Sequence, residues 1–150
     1  MGSELPAGTV LKGRYTIIRT VQVGGMGAVY QGLDLQLGNS PCAIKQMLPQ
    51  TAAQEGYFRQ RFEAEMRTLM TLGHRGIPKI ADFFKDDLGH FMVMEFIEGV
   101  TVAEELWIRR CENQPLAPPR EVVLDVLEVL DVLASMHQKV PPVIHRDIKP

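Results

Sequence analysis

Two kinds of hydrophobic spacing occur in separate parts of this chain, and this separation constrains the fold more than any other feature. Up to about residue 98 most apolar segments are short, and the first of them, residues 14–21, is rich in β-branched residues, as strands are. Beyond residue 98 the apolar residues recur mainly at helical spacing. Strands followed by helices, without regular alternation between them, indicate an α+β fold with an antiparallel sheet. The change near residue 98 is the predicted boundary between two lobes.

The first part of the chain contains five predicted strands and one predicted helix. Asp86–Gly89 contains turn residues and predicts a hairpin between the last two strands. Apolar residues at helical spacing predict a helix over residues 54–72, ended by Gly73. Beyond the boundary, helices are expected over residues 102–110 and about 120–137. The five expected strands are 14–21, 28–31, 42–47, 80–85 and 91–96.

Composition excludes several classes of protein. Of the 150 residues 45% are hydrophobic and 23% are charged, values that exclude intrinsic disorder. A net charge of −2 provides no basic footprint for nucleic acid. Cys42 and Cys111 are too few for a disulfide framework or a zinc site, so a reducing compartment, the cytoplasm, is expected. No apolar run is long enough to span a membrane, and residues 1–13 are expected to be a loosely ordered leader.

A glycine cluster, Gly24-Gly25-Met26-Gly27, lies between two predicted strands. Glycines allow backbone N–H groups to approach a phosphate without obstruction by a Cβ atom. A glycine-rich hairpin turn explains the cluster equally well. The strand that follows excludes a Rossmann fingerprint, which needs a helix there, and the absence of Gly-Lys-Ser/Thr excludes a Walker A loop.

Lys45 and Glu65 form a second candidate pair. Glu65 lies three residues after Phe62 and four before Leu69, so it falls on the apolar face of the predicted helix. A carboxylate on such a face is costly unless a cation meets it. Lys45, at the end of a predicted strand, is the candidate cation, although an ordinary exposed lysine is the simpler interpretation. Paired with Glu65, its ammonium would be held where it can meet polyphosphate oxygens.

Taken in order, these motifs and a final His145-Arg146-Asp147-Ile148-Lys149-Pro150 resemble a protein kinase of the bacterial serine/threonine type. The resemblance covers nearly the whole chain, from Val21 to Pro150. It implies a kinase N-lobe over residues 14–97, with a five-stranded sheet and helix C, and a hinge at 95–99. Residues 100–150 would then begin a helical C-lobe that stops at the catalytic loop.

The resemblance also implies which residues bind ATP. Cys42-Ala43-Ile44-Lys45 matches the motif V-A-I-K with cysteine in place of valine, and Glu65 matches the helix C glutamate. The adenine is expected in a cleft lined by Val29, Ala43, the gatekeeper Met94 and the backbone of Glu95 and Ile97. The phosphates are expected at Gly24, Gly25, Gly27 and Lys45.

The same resemblance assigns catalytic roles and shows two departures. Asp147 would accept the proton of the substrate hydroxyl, and Lys149 would lie near the γ-phosphate. Gln22 occupies the position of the first glycine of the loop, which should alter the shape of the loop. The sequence stops before the catalytic-loop Asn and the D-F-G segment, so the protein ligands of Mg²⁺ are not among these residues.

The function implied is transfer of the ATP γ-phosphoryl group to a Ser or Thr hydroxyl of a protein substrate. Mg²⁺ is expected in a full-length parent, and neither nucleic acid nor a membrane segment is expected as part of this function. The 150 residues alone are expected not to catalyse transfer. Two alternatives remain open: a kinase-like fragment that binds ATP or a partner without catalysis, and a fragment unable to fold.

Overall fold

The computed structural model describes residues 4–24, 27–47, 66–144 and 148. Contacts between residues divide the chain into two compact units. The first falls within Met1–Gly73 and Pro78–Ile97, and the second within His74–Ile77 and Glu98–Pro150. The chain thus passes from one unit to the other between Ile97 and Glu98.

The first unit is built on a six-stranded sheet in which every neighbouring pair is antiparallel, with strand order β1-β2-β3-β4-β6-β5. A single 3₁₀ turn, Leu35–Leu37, joins β3 to β4, and residues 66–70 are helical. This arrangement confirms the predicted α+β class and the antiparallel sheet. The strands are β1 Val10–Leu11, β2 Tyr15–Gly24, β3 Gly27–Asp34, β4 Ser40–Met47, β5 Ile80–Asp86 and β6 Gly89–Glu95.

The predicted count of five strands is wrong because the first described residues add a sixth. β1, Val10–Leu11, pairs with β2 within the segment that was expected to be a loosely ordered leader. Leu5 and Leu11 are only 7% and 0% exposed. Burying these two leucines offsets the entropy that is lost when the segment is ordered. Of the helix predicted over residues 54–72, only 66–70 is described as helix, and residues 48–65 lie outside the described part.

One face of the sheet carries the main hydrophobic core, and we call it the core face. On β3 and β4 the buried residues alternate with less buried ones, because successive side chains of a strand point to opposite faces. Phe84 stacks on Phe91 and on Tyr15 at this face. The buried members of the cluster are Leu5, Leu11, Tyr15, Ile17, Ala28, Tyr30, Cys42, Ile44, Phe91 and Val93.

A chain of hydrogen bonds crosses this core and pairs the polar groups of Tyr30 and Gln46. The Leu5 N–H donates to Tyr30 Oη at 3.1 Å, and the Tyr30 hydroxyl donates to Gln46 Oε1 at 2.8 Å. Gln46 Nε2 then donates to the carbonyl of Leu88 at 2.9 Å. Buried polar groups destabilise a fold unless they are paired. These bonds therefore join the N-terminal segment, β3, β4 and the β5–β6 turn.

Arg14 and Asp34 form a bidentate ion pair that joins the segment before β2 to the end of β3. Arg14 Nε and Nη2 donate to the two carboxylate oxygens at 2.9 and 2.7 Å. The Gln36 N–H donates to Asp34 Oδ1 at 3.0 Å, so the carboxylate also caps the 3₁₀ turn. The hydrogen bond from Arg14 lowers the pKa of the Asp34 carboxyl, against the opposing effect of its burial.

The second unit contains two helices, α1 (Val102–Cys111) and α2 (Pro119–His137), close to their predicted bounds. A capping box between Thr101 and Glu104 begins α1, and Pro119 occupies the first turn of α2, where proline is favoured. None of the described helices is long and apolar enough to cross a membrane. The apolar side chains of α2 that are 46–56% exposed are Val122, Val123, Leu124, Val126, Leu127, Val129 and Leu130.

A hydrogen bond from His74 and an ion pair from Arg75 join the short segment His74–Ile77 to α2. His74 Nε2 lies 3.1 Å from Asp131 Oδ2, and Arg75 Nη2 lies 3.5 Å from Glu128 Oε1. The Gly76 N–H donates to His74 Nδ1 at 3.1 Å, so the neutral ring carries its proton on Nε2 and donates it to Asp131. These contacts explain why four residues from the middle of the chain belong to the second unit.

Replacing Leu5 tests whether the N-terminal segment is part of the core. We expect Leu5→Ala to lower the free energy of unfolding by about 2 kcal/mol, because it leaves a cavity among buried side chains. Leu37→Ala is the matched control, since Leu37 is 60% exposed, and it should change stability by less than about 0.5 kcal/mol. Urea denaturation followed by circular dichroism measures both, and equal effects would show that Leu5 lies outside the core.

The Arg14–Asp34 pair predicts a loss of stability in acid. The folded state depresses the pKa of Asp34, so its contribution is present above the unfolded pKa, about 4, and is lost as pH falls through the folded value. Asp34→Asn should therefore weaken the dependence of the unfolding free energy on pH in the acid range, below about pH 5. Asp87→Asn, at an exposed turn position, should keep the full dependence. Denaturation at a series of pH values would contradict this account if the two variants behaved alike.

Candidate functional site

The strand register gathers four of the residues predicted to bind ATP on one face of the sheet. Val29 pairs with Lys45 across β3 and β4, and Ala43 pairs with Met94 across β4 and β6. Directly paired residues of antiparallel strands point to the same side, and so do residues two apart on one strand. The face carrying Val29, Ala43, Lys45 and Met94, which we call the site face, is therefore opposite the core face.

A second, smaller apolar cluster covers part of the site face. Met92, which pairs with Lys45, is 7% exposed, and Met66 from the helical segment is 3% exposed. The half-buried side chains packed against them are Met47, Leu69, Ile80, Phe83 and Met94. Lys45 itself stays exposed at the edge of this cluster. The site face therefore carries apolar side chains next to an exposed lysine.

Two rows of side chains run across the strands of the site face. One row contains Val29, Lys45 and Met92, and the next contains Ala43 and Met94. Neighbouring strands lie about 4.8 Å apart, so each row spans the width of a small planar ligand. The apolar side chains of Ala43, Met94 and Val29 suit an aromatic ring, and Lys45 suits an anion attached to that ring.

The two described glycines of the hairpin have different physical reasons to be glycine. Gly24 pairs with Gly27 at the ends of β2 and β3. Gly27 has φ 137°, and an added Cβ would lie 2.0 Å from the carbonyl oxygen of Gln46, so the fold itself requires glycine there. At Gly24 an added Cβ meets no atom of the described structure within 4 Å. A ligand approaching the backbone would explain glycine at this second position.

Glu95 and Ile97 lie at and just beyond the end of β6. The Glu95 N–H donates to the carbonyl of Lys79 at 2.9 Å, so its backbone is already engaged on that side. Glu95 pairs with Cys42, and its side chain therefore points away from the site face. Ile97 is 61% exposed. Any contribution of Glu95 to binding on the site face comes from its backbone carbonyl.

Cys42 replaces the valine of the V-A-I-K motif and is a packing residue. It is 6% exposed on the core face, where desolvation raises the pKa of its thiol to about 11. A thiol with this pKa stays protonated at neutral pH, and the thiolate is the reactive form. Cys42 therefore fills the space that valine fills in the motif and supplies no nucleophile.

Several predicted site residues lie outside the described residues: Gly25, Glu65, Asp147 and Lys149. The Lys45–Glu65 ion pair and the roles of Asp147 and Lys149 therefore stay predictions. Among residues 4–24, 27–47, 66–144 and 148, no three His, Cys, Asp or Glu side chains are grouped so that they could hold a metal ion. The described residues thus provide no carboxylate cluster for Mg²⁺.

Sequence reasoning missed two polar residues on the site face. Gln31 pairs with Ala43, and Arg19 pairs with Gln31 across β2 and β3. Arg19 Nε donates to Gln31 Oε1 at 2.8 Å, which shows that these two side chains meet on the same side of the sheet. The alternation of Val29 and Gln31 along β3 was a usable signal for Gln31. The position of Arg19 depends on irregularities in β2 that no spacing rule predicts.

Comparison with known proteins identifies the family of this chain. The family model described as protein kinase domain matches residues 15–150. Serine/threonine-protein kinase B of Synechocystis sp. is 33% identical over 144 residues, which cover 93% of this chain and 24% of that protein. PknL of Mycobacterium tuberculosis is 38% identical over 141 residues, covering 94% of this chain and 33% of that protein. PrkC of Bacillus subtilis is 34% identical, covering 95% of this chain and 21% of that protein.

A solved structure shows the same fold over nearly all of this chain. The crystal structure of the PknI kinase domain of Mycobacterium tuberculosis superposes with a TM-score of 0.76 at 27% identity. The match covers 98% of this chain and 56% of the crystallised chain. The chain therefore spans about half of that kinase domain structure, and a third or less of the three curated relatives. On the strength of the matched domain and these relatives, the chain belongs to the protein kinase domain family and resembles the N-terminal part of bacterial serine/threonine kinases.

Proposed function

We propose that this chain binds ATP on the site face and forms the nucleotide-binding part of a serine/threonine protein kinase. The observation that carries the proposal is the register that sets Lys45 beside Val29, on the face opposite the core. An ordinary exposed lysine, whose only role is solubility, does not need a position next to an apolar cluster. Here it lies at the edge of a cluster of apolar side chains, the kind of surrounding that binds a base. The family uses ATP, and transfer to a Ser or Thr hydroxyl is the proposed reaction of the whole protein.

The adenine is proposed to lie against Ala43, Val29 and Met94. These three side chains are half-buried, so a planar ring placed there removes their remaining apolar surface from water. Because the Glu95 N–H is bonded to Lys79, Glu95 offers its carbonyl to the amino group of adenine. Ile97 offers its N–H to a ring nitrogen. Such backbone contacts orient the base, while the apolar contacts supply most of the affinity.

The phosphates are proposed to extend from the adenine toward Lys45 and the glycine hairpin. The Lys45 ammonium offsets phosphate charge, and Glu65 would hold it in position by an ion pair. The backbone of Gly24, Gly25 and Gly27 would approach the phosphate oxygens, and the bare Gly24 leaves room for this approach. All of these contacts serve positioning and charge neutralisation, which are the main means of catalysis in phosphoryl transfer.

In the transfer step the oxygen of a protein hydroxyl forms a bond to the γ-phosphorus as the bond from that phosphorus to the β–γ bridging oxygen breaks. Asp147 is proposed to accept the hydroxyl proton, and Lys149 to offset charge on the transferred group. ADP leaves with the bridging oxygen. The protein substrate is a Ser- or Thr-containing protein, and its identity depends on parts of the kinase fold that carry substrate recognition.

The proposed location is the cytoplasm. Both cysteines are free thiols, and Cys111 is exposed. An exposed thiol persists in a reducing compartment, where ATP is also available as a substrate. The exposed thiol and the need for ATP are both consistent with the cytoplasm.

The two glycines allow fold and ligand to be tested separately. We expect Gly24→Ala to keep the unfolding free energy within about 0.5 kcal/mol and to weaken ATP binding severalfold, since its Cβ enters space reserved for a ligand. Gly27→Ala should instead lower stability by about 1–3 kcal/mol, because its φ and the Gln46 carbonyl both exclude a side chain. Thermal denaturation and ATP titration measure the two effects. Undiminished ATP affinity in a stable Gly24→Ala variant would contradict the proposal that the nucleotide approaches the backbone at Gly24.

Lys45→Met tests the proposed phosphate role. In a catalytically active protein that contains this chain, we expect turnover to fall by a factor of about 100 or more, while ATP affinity falls by less than about tenfold. The reason is that Lys45 positions phosphates for transfer, whereas the apolar surface supplies most of the binding. Lys79→Met is the control, because Lys79 is also exposed but lies off the site face at the sheet edge. Transfer of labelled phosphate to a protein substrate measures turnover, and undiminished transfer by Lys45→Met would contradict the assignment.

A further inference from the structure

Gln22 stands where the kinase resemblance places a glycine, and the sheet gives its side chain a defined direction. Along β2 and β3, Thr20 pairs with Tyr30, whereas the next pair is Gln22 with Val29. Val21 is therefore an extra residue in β2, and the register shift there is a β-bulge. Without this extra residue, Gln22 would pair with Ala28 and would point to the core face.

The bulge moves Gln22 to the site face. Val29, its partner, belongs to that face and pairs on its other side with Lys45. The hydrogen bond between Arg19 and Gln31, one row away, shows that paired side chains of β2 and β3 do meet on this side of the sheet. Gln22, Val29 and Lys45 thus form one row over three neighbouring strands. The Cα atoms of Gln22 and Lys45 are about 10 Å apart, the width of two strand spacings.

Gln22 and Lys45 flank Val29 in this row, so an anion held by the Lys45 ammonium lies on the row that Gln22 also lines. Ala43 and Met94 lie in the neighbouring row, which is the apolar one, while Lys45 supplies the positive charge of the Gln22 row. The exposed Gln22 amide has two N–H donors and no charge. Building on the proposed function, we propose that Gln22 donates an amide hydrogen bond to a polyphosphate oxygen of the bound nucleotide. The Gln22 side chain on β2 would then contact the phosphates beside the glycine hairpin.

The inference is tested by nucleotide titrations of the 150-residue chain, with ATP, ADP and adenosine as separate ligands. We expect Gln22→Ala and Gln22→Gly to weaken ATP and ADP by about threefold to tenfold, the effect of one hydrogen bond, and to change adenosine by less than about twofold. Gln22→Glu has the same length but a carboxylate, so it should weaken ATP more than Gln22→Ala does. Gln36→Ala, at an exposed position in the 3₁₀ turn, is the matched control and should match the wild type for all three ligands.

The outcomes separate this inference from the proposed function. If the folded wild-type chain binds none of the three ligands, the proposed function is wrong and the inference fails with it. If the wild type binds ATP but Gln22→Ala binds it equally well, or loses adenosine affinity to the same extent, only the phosphate contact of Gln22 is wrong. Melting temperatures of Gln22→Ala and Gln22→Glu equal to that of the wild type establish that the losses arise at the ligand. Lower affinity of both variants for ATP and ADP, with adenosine unchanged, supports the contact.

Discussion

The register between β3 and β4 is the constraint on which both the core and the candidate site depend. These central strands have packed or functional side chains on both faces, so each residue has only one acceptable direction. A slip of one residue would turn Lys45 into the core and Ile44 out to water. An unpaired buried ammonium costs several kcal/mol, and exposing Ile44 forgoes about 2 kcal/mol more. The site is therefore held in place by the same alternation that builds the core.

Two contacts fix this register from within. Gly27 on β3 lies so close to the Gln46 carbonyl on β4 that only glycine fits. A shift of β3 along β4 would break this close contact. The Tyr30 hydroxyl donates to the Gln46 side chain, which in turn reaches the β5–β6 turn at Leu88. Glycine in this loop thus has a structural task at Gly27, besides the ligand-related one that we assign to Gly24.

Many of the helices and strands were predictable because local sequence patterns determine them. The alternation at Ala43 and Lys45, the turn residues after Asp86 and the first-turn Pro119 each predict their element without knowledge of tertiary contacts, and the structure confirms the elements. β1 was missed because two residues contain no period, and its place depends on the burial of Leu5 and Leu11. Bulges in β2 were also beyond prediction, since they follow from pairing with β3 and not from the β2 sequence alone.

Part of the candidate site was also predictable from the sequence. Spacing and motif order selected Val29, Ala43, Lys45 and Met94, and the register explains physically why these positions belong together: each is an even number of residues from its neighbour or directly across from it. The side-chain direction of Gln22 required the bulge and so required the structure. Glu65, Asp147 and Lys149 lie outside the described residues, and their roles rest on the family motif.

The central claim is that Lys45 meets the phosphates of a nucleotide bound on the site face. Its most direct test is labelling with an acyl phosphate of ATP, in which a lysine amine near the phosphates attacks the acyl carbon, forms an amide and releases ATP. Mass spectrometry of the labelled chain then locates the modified lysine. The account predicts that Lys45 is modified and that excess ATP protects it, while the exposed Lys79 reacts slowly and without protection. Modification of Lys45 and Lys79 at equal rates, with no protection by ATP, would contradict the claim.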